Sequence, residues 1–408
     1  MKGTCIIIGA SHAAAQLGPT LRQSGWEGKI LIIGDEPHIP YHRPPLSKDY
    51  LAGKKQMADI RIRPEEVYQK AGIEFLLGRR VETIDRDHKR VRLDGGAELP
   101  YDSLALTVGS RVRRVDLPGV DLPGVHYLRT AADVGDIRKQ VVPGANAVIV
   151  GGGYIGLETA AVLRGCGMNV TVVEMMERIM QRVTAPEVSA FYTRVHGEEG
   201  VDIRCNLGVA AFEGQGRVEA VRCSDGARLP ADLVIIGVGI LPNMELARDA
   251  GLKVENGIVV DAFCRTSDPA IVAAGDCTWH HNPHYDRWLR LESVQNASDQ
   301  ARVAAETLCG KQTPYSALPW FWSDQYDLKL QIAGLSQGYD AVITRGDRDQ
   351  GRSFAAFYLK SGKVIAVDAV NKPPEFMIGK KLISEGRPVD KVRLADVAVP
   401  MRDLLSPG

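Results

Sequence analysis

The sequence predicts an α/β protein with parallel sheets, followed by a smaller α+β domain. Short aliphatic runs that end at a glycine recur along the first two-thirds of the chain, a pattern typical of strands buried on both faces of a parallel sheet. A unit of strand, glycine-rich turn and helix occurs at Gly9 and again at Gly151, 142 positions further on. After about residue 320 alternating strands replace these runs. Together these features predict two Rossmann-like dinucleotide-binding domains and a C-terminal α+β domain.

Composition limits the classes of protein to which the chain can belong. Its 408 residues suggest two to four domains, and 45% apolar with 25% charged residues is an ordinary globular composition. Fifty Lys plus Arg balance fifty Asp plus Glu, which argues against a bulk basic surface for nucleic acid or an anionic membrane. The N-terminus shows no signal peptide, and no apolar segment approaches the ~20 residues of a membrane span. We therefore expect a cytoplasmic protein.

The seven cysteines do not form a redox or metal pattern. Their number is odd, no two follow a CxxC or CxxxxC spacing, and none lies between Cys5 and Cys166. This spacing argues against a disulfide framework, a zinc ribbon and a dithiol centre, and no metal site is expected. We expect Cys166, on the helix of the second unit, and Cys277 to be buried thiols.

The domain boundaries follow from the two repeated units and the change of pattern. We expect residues 1–109 and 236–318 to form the first nucleotide-binding domain, interrupted by the second at 110–235, with the C-terminal domain at 319–408. Helical spacing is present at about 12–24 and 155–167, and helices are expected near 375–385 and 400–406. The alternating segments 353–359 and 364–367, joined by Lys-Ser-Gly-Lys, predict a hairpin.

The second glycine-rich turn matches the GxGxxG dinucleotide fingerprint. A buried strand precedes Gly151, Gly153 and Gly156, and a helix follows them. The first glycine permits the tight turn, the second lets the backbone approach a pyrophosphate, and the third lets the helix pack closely on the sheet. Glu174 follows the next strand, 18 residues after Gly156. A carboxylate there accepts hydrogen bonds from a ribose 2′-hydroxyl, so we expect NADH to be preferred over NADPH.

The first glycine-rich turn is a degenerate form of the same fingerprint. It reads Gly9-Ala-Ser11-His-Ala-Ala14, with Ser11 in place of the second glycine and Ala14 in place of the third. Alanine is tolerated at the third position, whereas Ser11 crowds the diphosphate or donates a hydrogen bond to it. The acidic residue follows as Asp35. His12, at the helix start, is expected to cap or pack.

Two further features join the nucleotide units to a redox function. The strand before Asp276 ends in Gly-Asp, and a carboxylate at a strand C-terminus can bind the ribityl chain of a flavin. A strand followed by Val-Gly comes after each unit, at Gly109 and at Gly239, and Gly239 is a further candidate cofactor-binding residue. Two dinucleotide sites in one chain predict a flavoprotein that takes electrons from a nicotinamide.

Over its whole length the chain resembles the NADH-dependent ferredoxin reductases of bacterial oxygenase systems. These are glutathione reductase-like flavoproteins with two dinucleotide-binding domains. Five segments carry the resemblance: RPPLSK at 43–48, GGYIGLE at 152–158, RVTAP at 182–186, YDRWLRLESV at 285–294 and PWFWSDQ at 319–325.

The resemblance implies FAD and NADH as cofactors, with FAD in the first domain and NAD in the second. By similarity Lys48 contacts FAD, Glu158 lies near the nicotinamide and pairs with Lys48, and Trp322 approaches the isoalloxazine. These three are the candidate catalytic residues. Further positions that line the FAD site by similarity are Ala13, Asp35, Val81, Arg129, Asp276 and Val294.

From the residues alone, plainer interpretations stay open for the same side chains. Lys48 in a proline-rich loop is compatible with a solvated surface charge. Glu158 near a helix N-terminus is compatible with an offset to the helix dipole. Trp320 and Trp322, two apart on a strand, share one face and are compatible with packing as well as with flavin contact.

By resemblance, the enzyme passes electrons from NADH through FAD, one at a time, to a 2Fe–2S ferredoxin that supplies a cytochrome P-450 type monooxygenase or a Rieske dioxygenase. Such ferredoxins are acidic, so transient docking on a basic face is expected, with the reductase a monomer or weak dimer and neither nucleic acid nor membrane as partner. The alternatives are an NADH oxidase and an NADH-sensing flavoprotein of the apoptosis-inducing-factor type. The candidate docking residues are Arg79, Arg80, Arg302, Lys329, Lys380 and Lys381.

Overall fold

In the computed structural model, which describes residues 2–405, the chain divides into two compact units. The first comprises Met1–His42, Met57–Arg111 and Ile240–Pro319, and the second comprises Arg43–Gln56, Val112–Gly239 and Trp320–Gly408. The contacts thus group the C-terminal segment with the second glycine-turn unit. The expected division into three domains stays a prediction.

The first unit is built on a five-stranded parallel sheet. The central strands are mostly aliphatic, and Ile6, Ile7 and Ile32 are fully buried, as expected for a parallel sheet covered on both faces. In spatial order the strands are Ile271–Ala273, Ser103–Leu106, Cys5–Ile8, Ile30–Gly34 and Ile73–Leu77.

Helices and two small sheets complete the first unit. The helix His12–Gln23 follows the first strand and buries Leu17 and Leu21. The α-helices of the first unit are His12–Gln23, Glu65–Lys70, Glu245–Asp249 and Val294–Leu308, and a 3-10 helix lies at Met57–Ile60. The small sheets are Val81–Asp85, Arg90–Leu93 and Glu98–Pro100, and Ile258–Val260, Thr278–Asn282 and Arg287–Leu289.

The second unit contains a matching five-stranded parallel sheet. Helices in this unit are Ala131–Arg138, Tyr154–Gly165, Pro186–Glu198, Pro373–Glu385 and Lys391–Ala395, with 3-10 helices at Pro44–Ser47 and Met401–Leu405. In spatial order the parallel strands are Asp202–Arg204, Asn169–Val173, Asn146–Val150, Leu233–Ile236 and Val125–Tyr127. A three-stranded antiparallel sheet consists of Val209–Glu213, Ala220–Cys223 and Arg228–Pro230.

The C-terminal segment forms a five-stranded antiparallel sheet. The expected hairpin is present, because Ser353–Lys360 pairs antiparallel with Lys363–Val370. The order is Trp320–Gln325, Leu328–Gly334, Lys363–Val370, Ser353–Lys360 and Ala341–Asp347. Phe357, Val367 and Leu382 are fully buried between this sheet and the helix Pro373–Glu385.

Two local expectations need adjustment. The helix expected near 400–406 is the 3-10 helix Met401–Leu405, and residue 406 lies outside the described residues. Two short strands, Ser110–Val112 and Ile240–Pro242, lie in or beside the Pro- or Gly-containing segments 111–124 and 241–243, which the sequence predicts to be crossovers between domains. Among residues 2–405, none of the helices is both long and apolar enough to span a membrane.

Candidate functional site

The second glycine-rich turn has the geometry that its fingerprint predicts. Gly151 has a φ of +109°, and a Cβ there would lie 2.4 Å from the carbonyl oxygen of Gly237. A Cβ on Gly156 would lie 2.1 Å from the carbonyl oxygen of Gly151. Only glycine fits at these two positions, because Gly151 packs against the residue that follows the strand Leu233–Ile236 and Gly156 packs against the turn itself.

Gly153 differs from its neighbours in a way that suits a diphosphate. It stands just before the helix Tyr154–Gly165, and a Cβ there would meet nothing within 4 Å. Protein packing therefore does not explain this glycine, whereas close approach of a phosphate to the backbone at a helix N-terminus does. The residues present fit a dinucleotide. Gly239, the further position expected to bind a cofactor, also lies in open space with a φ of +104°.

Glu174 binds the glycine-rich turn itself. Its Oε2 accepts a hydrogen bond from the backbone N–H of Gly152 at 2.7 Å, and its Oε1 accepts one from Met176 N–H at 2.8 Å. The carboxylate is half-buried and Met175 beside it is 74% exposed. The structure thus fixes the carboxylate at the end of the strand Asn169–Val173. Its role as ribose ligand stays a prediction.

The first glycine-rich turn adopts the same path despite its altered sequence. Gly9 has a φ of +105°, and a Cβ there would lie 2.3 Å from Thr107 O. Ser11 is the N-cap of the helix that begins at His12, and Ala13 and Ala14 are buried in the first turn of that helix. Asp35 follows the second strand, is exposed, and pairs with Arg80 at 3.2 Å.

The other first-unit positions expected to line the FAD site lie at element ends. Val81 begins the strand Val81–Asp85 and is buried. Asp276 follows the strand Ile271–Ala273 within three residues, and its Oδ2 accepts a hydrogen bond from Ser110 Oγ at 2.8 Å. Val294 is the first residue of the helix Val294–Leu308, which Ser293 caps by accepting from Asn296 N–H. These positions are compatible with a bound dinucleotide, and their contacts with FAD stay predictions.

In the second unit, Lys48 and Glu158 form a buried ion pair. Lys48 follows the 3-10 helix Pro44–Ser47, and its Nζ lies 2.6 Å from Glu158 Oε2, with Pro44 O a further acceptor at 3.3 Å. Glu158 stands in the first turns of the helix Tyr154–Gly165 and is 2% exposed, whereas the Lys48 side chain is 18% exposed. The structure therefore contradicts the solvated-charge interpretation of Lys48 and shows the pairing that the resemblance implies.

Two serines that the sequence did not single out complete the surroundings of this carboxylate. Ser47 Oγ donates to Glu158 Oε2 at 2.5 Å, and Ser323 Oγ donates to Glu158 Oε1 at 2.6 Å. Both serines are at most 1% exposed. With the ammonium of Lys48, three donors hold Glu158, so the buried carboxylate carries a compensated charge in one fixed orientation. The sequence separations of 111 and 165 residues hid these contacts.

Trp322 and Arg129 lie in the same unit. The rings of Trp320 and Trp322 lie 5.6 Å apart, as expected for residues two apart on the strand Trp320–Gln325, and Trp322 is partly exposed. The backbone carbonyl of Arg129 accepts a hydrogen bond from Arg43 Nη1 at 2.8 Å, just before the helix Ala131–Arg138. Arg129 is thus tied to the same loop as Lys48.

All seven cysteines, each within residues 2–405, are free thiols. Burial raises the pKa of the Cys277 thiol to about 12, and it raises that of Cys5 further. Cys166 directly follows the helix Tyr154–Gly165 and is partly exposed, so the expectation that it lies in the core is wrong. Within the described residues no group of His, Cys, Asp and Glu is arranged to hold a metal.

Comparison with known proteins gives two family matches and close relatives. Residues 3–301 match the pyridine nucleotide-disulphide oxidoreductase family, and residues 320–405 match the reductase C-terminal family. Putidaredoxin reductase of Pseudomonas putida is 46% identical over 98% of this chain and 96% of its own. The ferredoxin–NAD(+) reductase component of the anthranilate 1,2-dioxygenase system of Burkholderia cepacia is 42% identical over 98% of both chains.

A solved structure agrees with this fold over nearly the whole length. The crystal structure of the covalent putidaredoxin reductase–putidaredoxin complex contains a chain that matches with a TM-score of 0.95 at 46% identity, covering 99% of this chain and 98% of that one. The expected fold class, two Rossmann-like domains with a C-terminal α+β domain, is confirmed.

Proposed function

This chain belongs to the pyridine nucleotide-disulphide oxidoreductase family, as an FAD-dependent NADH:ferredoxin reductase, and we propose that Lys48, Glu158 and Trp322 form its reaction site. Bound FAD would supply the redox chemistry, which is acceptance of a hydride from NADH and release of single electrons to the ferredoxin. The chain's own residues supply binding, orientation and electrostatics. The 2Fe–2S ferredoxin would in turn supply a bacterial oxygenase.

The buried Lys48–Glu158 pair is the observation that carries this assignment. A buried ion pair is weak evidence for stability alone, because desolvation of both charges offsets their attraction. Here one carboxylate takes three donors, and the ammonium keeps 18% exposure, so its charge is fixed in position and partly open. A fixed cation of this kind stabilises negative charge that develops beside it during reduction.

The cysteines support an external electron acceptor. A disulfide reductase needs two thiols close to each other and to the flavin, with a lowered pKa at the attacking sulfur. In this chain the Cys277 thiol is fully buried with its pKa raised to about 12, and all seven cysteines are free. The electrons therefore leave for a separate protein, not for a dithiol in this chain.

For the docking face we propose Lys329 and Lys380, both in the C-terminal segment that follows residue 319. The other candidates are engaged by carboxylates: Arg79 by Asp94, Arg80 by Asp35, Arg302 by Asp299 and Lys381 by Glu385. Lys329 is exposed on the strand Leu328–Gly334, and Lys380 Nζ lies 5.6 Å from the ring of Trp320. Two cations whose charges are not offset in this way attract an acidic ferredoxin and raise its association rate.

Rapid mixing with NADH tests the reaction site. We expect Lys48→Met to slow flavin reduction by roughly tenfold or more, because the charge that stabilises the reduced state is removed. The matched control is Lys55→Met, in the same loop but 44% exposed, which should reduce at the wild-type rate. Equal rates for Lys48→Met and wild type would refute the proposed site.

Salt dependence tests the docking face. Turnover with a two-iron ferredoxin should fall steeply between about 50 and 300 mM salt, whereas reduction of ferricyanide by NADH should barely change. Lys329→Glu and Lys380→Glu should each raise the KM for ferredoxin, with Lys253→Glu, in the other unit, as the control. Parallel salt curves for the two acceptors would exclude electrostatic docking.

A further inference from the structure

We propose that a one-way chain of hydrogen bonds, from Tyr326 through His196, Gln325 and Ser323, orients the carboxylate of Glu158. This inference rests on the proposed role of Glu158 at the reaction site. It assigns His196 and Tyr326 as positioning residues, although neither was singled out by the sequence. All members of the chain lie in the second unit.

The distances form a continuous path. Ser323 Oγ lies 2.6 Å from Glu158 Oε1, and Gln325 Nε2 lies 3.2 Å from Ser323 Oγ. Gln325 Oε1 lies 2.8 Å from His196 Nε2, and His196 Nδ1 lies 3.0 Å from the hydroxyl of Tyr326. Ser323, Gln325 and His196 are at most 1% exposed. Water therefore has little access to these three side chains, and their polar atoms depend on one another for hydrogen-bond partners.

Atom identity fixes the direction of every bond. Ionised Glu158 only accepts, so Ser323 donates to it, and the amide nitrogen of Gln325 only donates, so Ser323 also accepts. Since the amide oxygen of Gln325 only accepts, His196 carries a proton on Nε2. A neutral His196 then accepts at Nδ1, and Tyr326 must donate. Every donor thus points towards Glu158.

The surroundings keep His196 neutral and Tyr326 protonated. Burial lowers the pKa of His196, and this effect outweighs the raising effects of the hydrogen bond that His196 donates to Gln325 and of the charge of Glu199. Burial also raises the pKa of Tyr326 well above its ordinary value. Among the charged residues beside this hydrogen-bond chain, Arg352 pairs with Asp327 and with Glu199, so their charges partly offset one another. Tyr326 and Asp327 form the loop between the strands Trp320–Gln325 and Leu328–Gly334.

Reversal of one hydrogen bond in this chain would change the hydrogen bonding of Glu158. If Tyr326 did not donate, His196 would be free to carry its proton on Nδ1, and Nε2 would become an acceptor. The amide of Gln325 would then turn to donate to His196 and present its oxygen to Ser323. Ser323 would donate to that oxygen, and Glu158 Oε1 would lose its donor. The hydroxyl of Tyr326 therefore acts on the carboxylate through three intermediate groups.

The first test reads the histidine tautomer and does not depend on activity. Protein labelled with ¹⁵N at its nine histidines is examined by long-range ¹H–¹⁵N NMR at pH 7, with His196 assigned from the signals missing in His196→Asn. We expect a neutral ring protonated at Nε2 in the wild type and a loss of that single tautomer in Tyr326→Phe. A wild-type His196 that is protonated at Nδ1 or doubly protonated would overturn the inference.

The second test is a double-mutant cycle on flavin reduction by NADH. We expect Ser323→Ala to lower the limiting rate about tenfold and Tyr326→Phe about threefold, with the NADH dissociation constant unchanged. Since both act through one link, the double variant should be no slower than Ser323→Ala. Ser323→Thr, which keeps the hydroxyl, should restore the rate. Tyr339→Phe, in a partly exposed turn, is the control.

Glu158→Gln separates the failure of this inference from the failure of the proposed site. If Glu158→Gln slows flavin reduction while Tyr326→Phe does not, the chain has no positioning role and Glu158 keeps its own. Rates that multiply in the double variant would likewise overturn the coupling. If Glu158→Gln reduces at the wild-type rate, both the proposed role of Glu158 and the inference are overturned.

Discussion

The buried carboxyl of Asp368 should make stability depend on pH. Asp368 is 1% exposed, in the strand Lys363–Val370, and accepts a hydrogen bond from the hydroxyl of Tyr358. Burial raises its pKa to about 7, against a lowering effect of the Tyr358 bond. A carboxyl that holds its proton more tightly when folded stabilises the fold fully below its unfolded pKa, and this stabilisation is lost as pH rises through about 7.

The magnitude follows from the size of the shift. The pKa of Asp368 rises from its ordinary 3.8 to about 7, a change of roughly three. At about 1.36 kcal/mol for each pKa unit, the free energy of unfolding changes by about 4 kcal/mol over the full titration. Between pH 5 and pH 8 the change is about 2 to 3 kcal/mol, because part of the loss occurs below pH 5. Asp368→Asn keeps an acceptor for Tyr358 but cannot ionise. The unfolding free energy of the variant should therefore rise relative to wild type by this amount over the interval.

The assay is urea unfolding of the holoprotein at pH 5, 6, 7 and 8, for wild type and Asp368→Asn. Subtraction of the two curves removes the contribution of every other titrating group. Asp349→Asn, at a carboxylate whose side chain is 79% exposed, is the control and should run parallel to wild type. If Asp368→Asn also runs parallel to wild type, Asp368 does not titrate as its burial requires and the reasoning is refuted.

Three further predictions concern the second glycine-rich turn and the carboxylate that binds it. Gly156→Ala should destabilise the protein by about 2 to 3 kcal/mol, since the new Cβ would lie 2.1 Å from Gly151 O. Gly153→Ala should unfold like wild type in the same denaturation assay, because its Cβ would meet no protein atom. It should nevertheless bind NADH about tenfold more weakly, because that Cβ would occupy the space expected for the pyrophosphate. If both variants lost both stability and NADH affinity, these separate roles of Gly156 and Gly153 would be contradicted. Glu174→Ala with Met175→Arg should raise kcat/KM for NADPH over NADH by about tenfold or more, as a carboxylate is replaced by a cation beside the ribose. An unchanged ratio would show that Glu174 is not the ribose ligand, and Glu174→Gln separates this effect from loss of its bonds to the turn.

Local pattern predicted the elements around the nucleotide turns well. The strands Cys5–Ile8 and Asn146–Val150 and the helices His12–Gln23 and Tyr154–Gly165 follow from aliphatic runs, glycines and helical spacing that lie next to one another in the chain. These signals act over a few residues, so the sequence alone carries them.

The contacts of the candidate site depend on distant residues and were only partly predictable. The resemblance implied the pairing of Lys48 with Glu158, but no periodicity links Glu158 to Ser47 or Ser323. Ser323 and Gln325, two apart on the strand Trp320–Gln325, share one face, but in the sequence this spacing singled out only Trp320 and Trp322. His196 lies on the helix Pro186–Glu198, beyond the RVTAP segment and in no motif, so only the three-dimensional arrangement shows its connection.

The most direct test of the function is an anaerobic titration of the holoprotein with NADH in the presence of excess ferredoxin, with putidaredoxin and a panel of other two-iron ferredoxins as probes. We expect each NADH to reduce two ferredoxin molecules with at least one of these partners, at a rate that greatly exceeds NADH oxidation by oxygen alone. NADH consumption in air that matches or exceeds every ferredoxin-linked rate, with no ferredoxin reduced anaerobically, would contradict this expectation and favour an NADH oxidase.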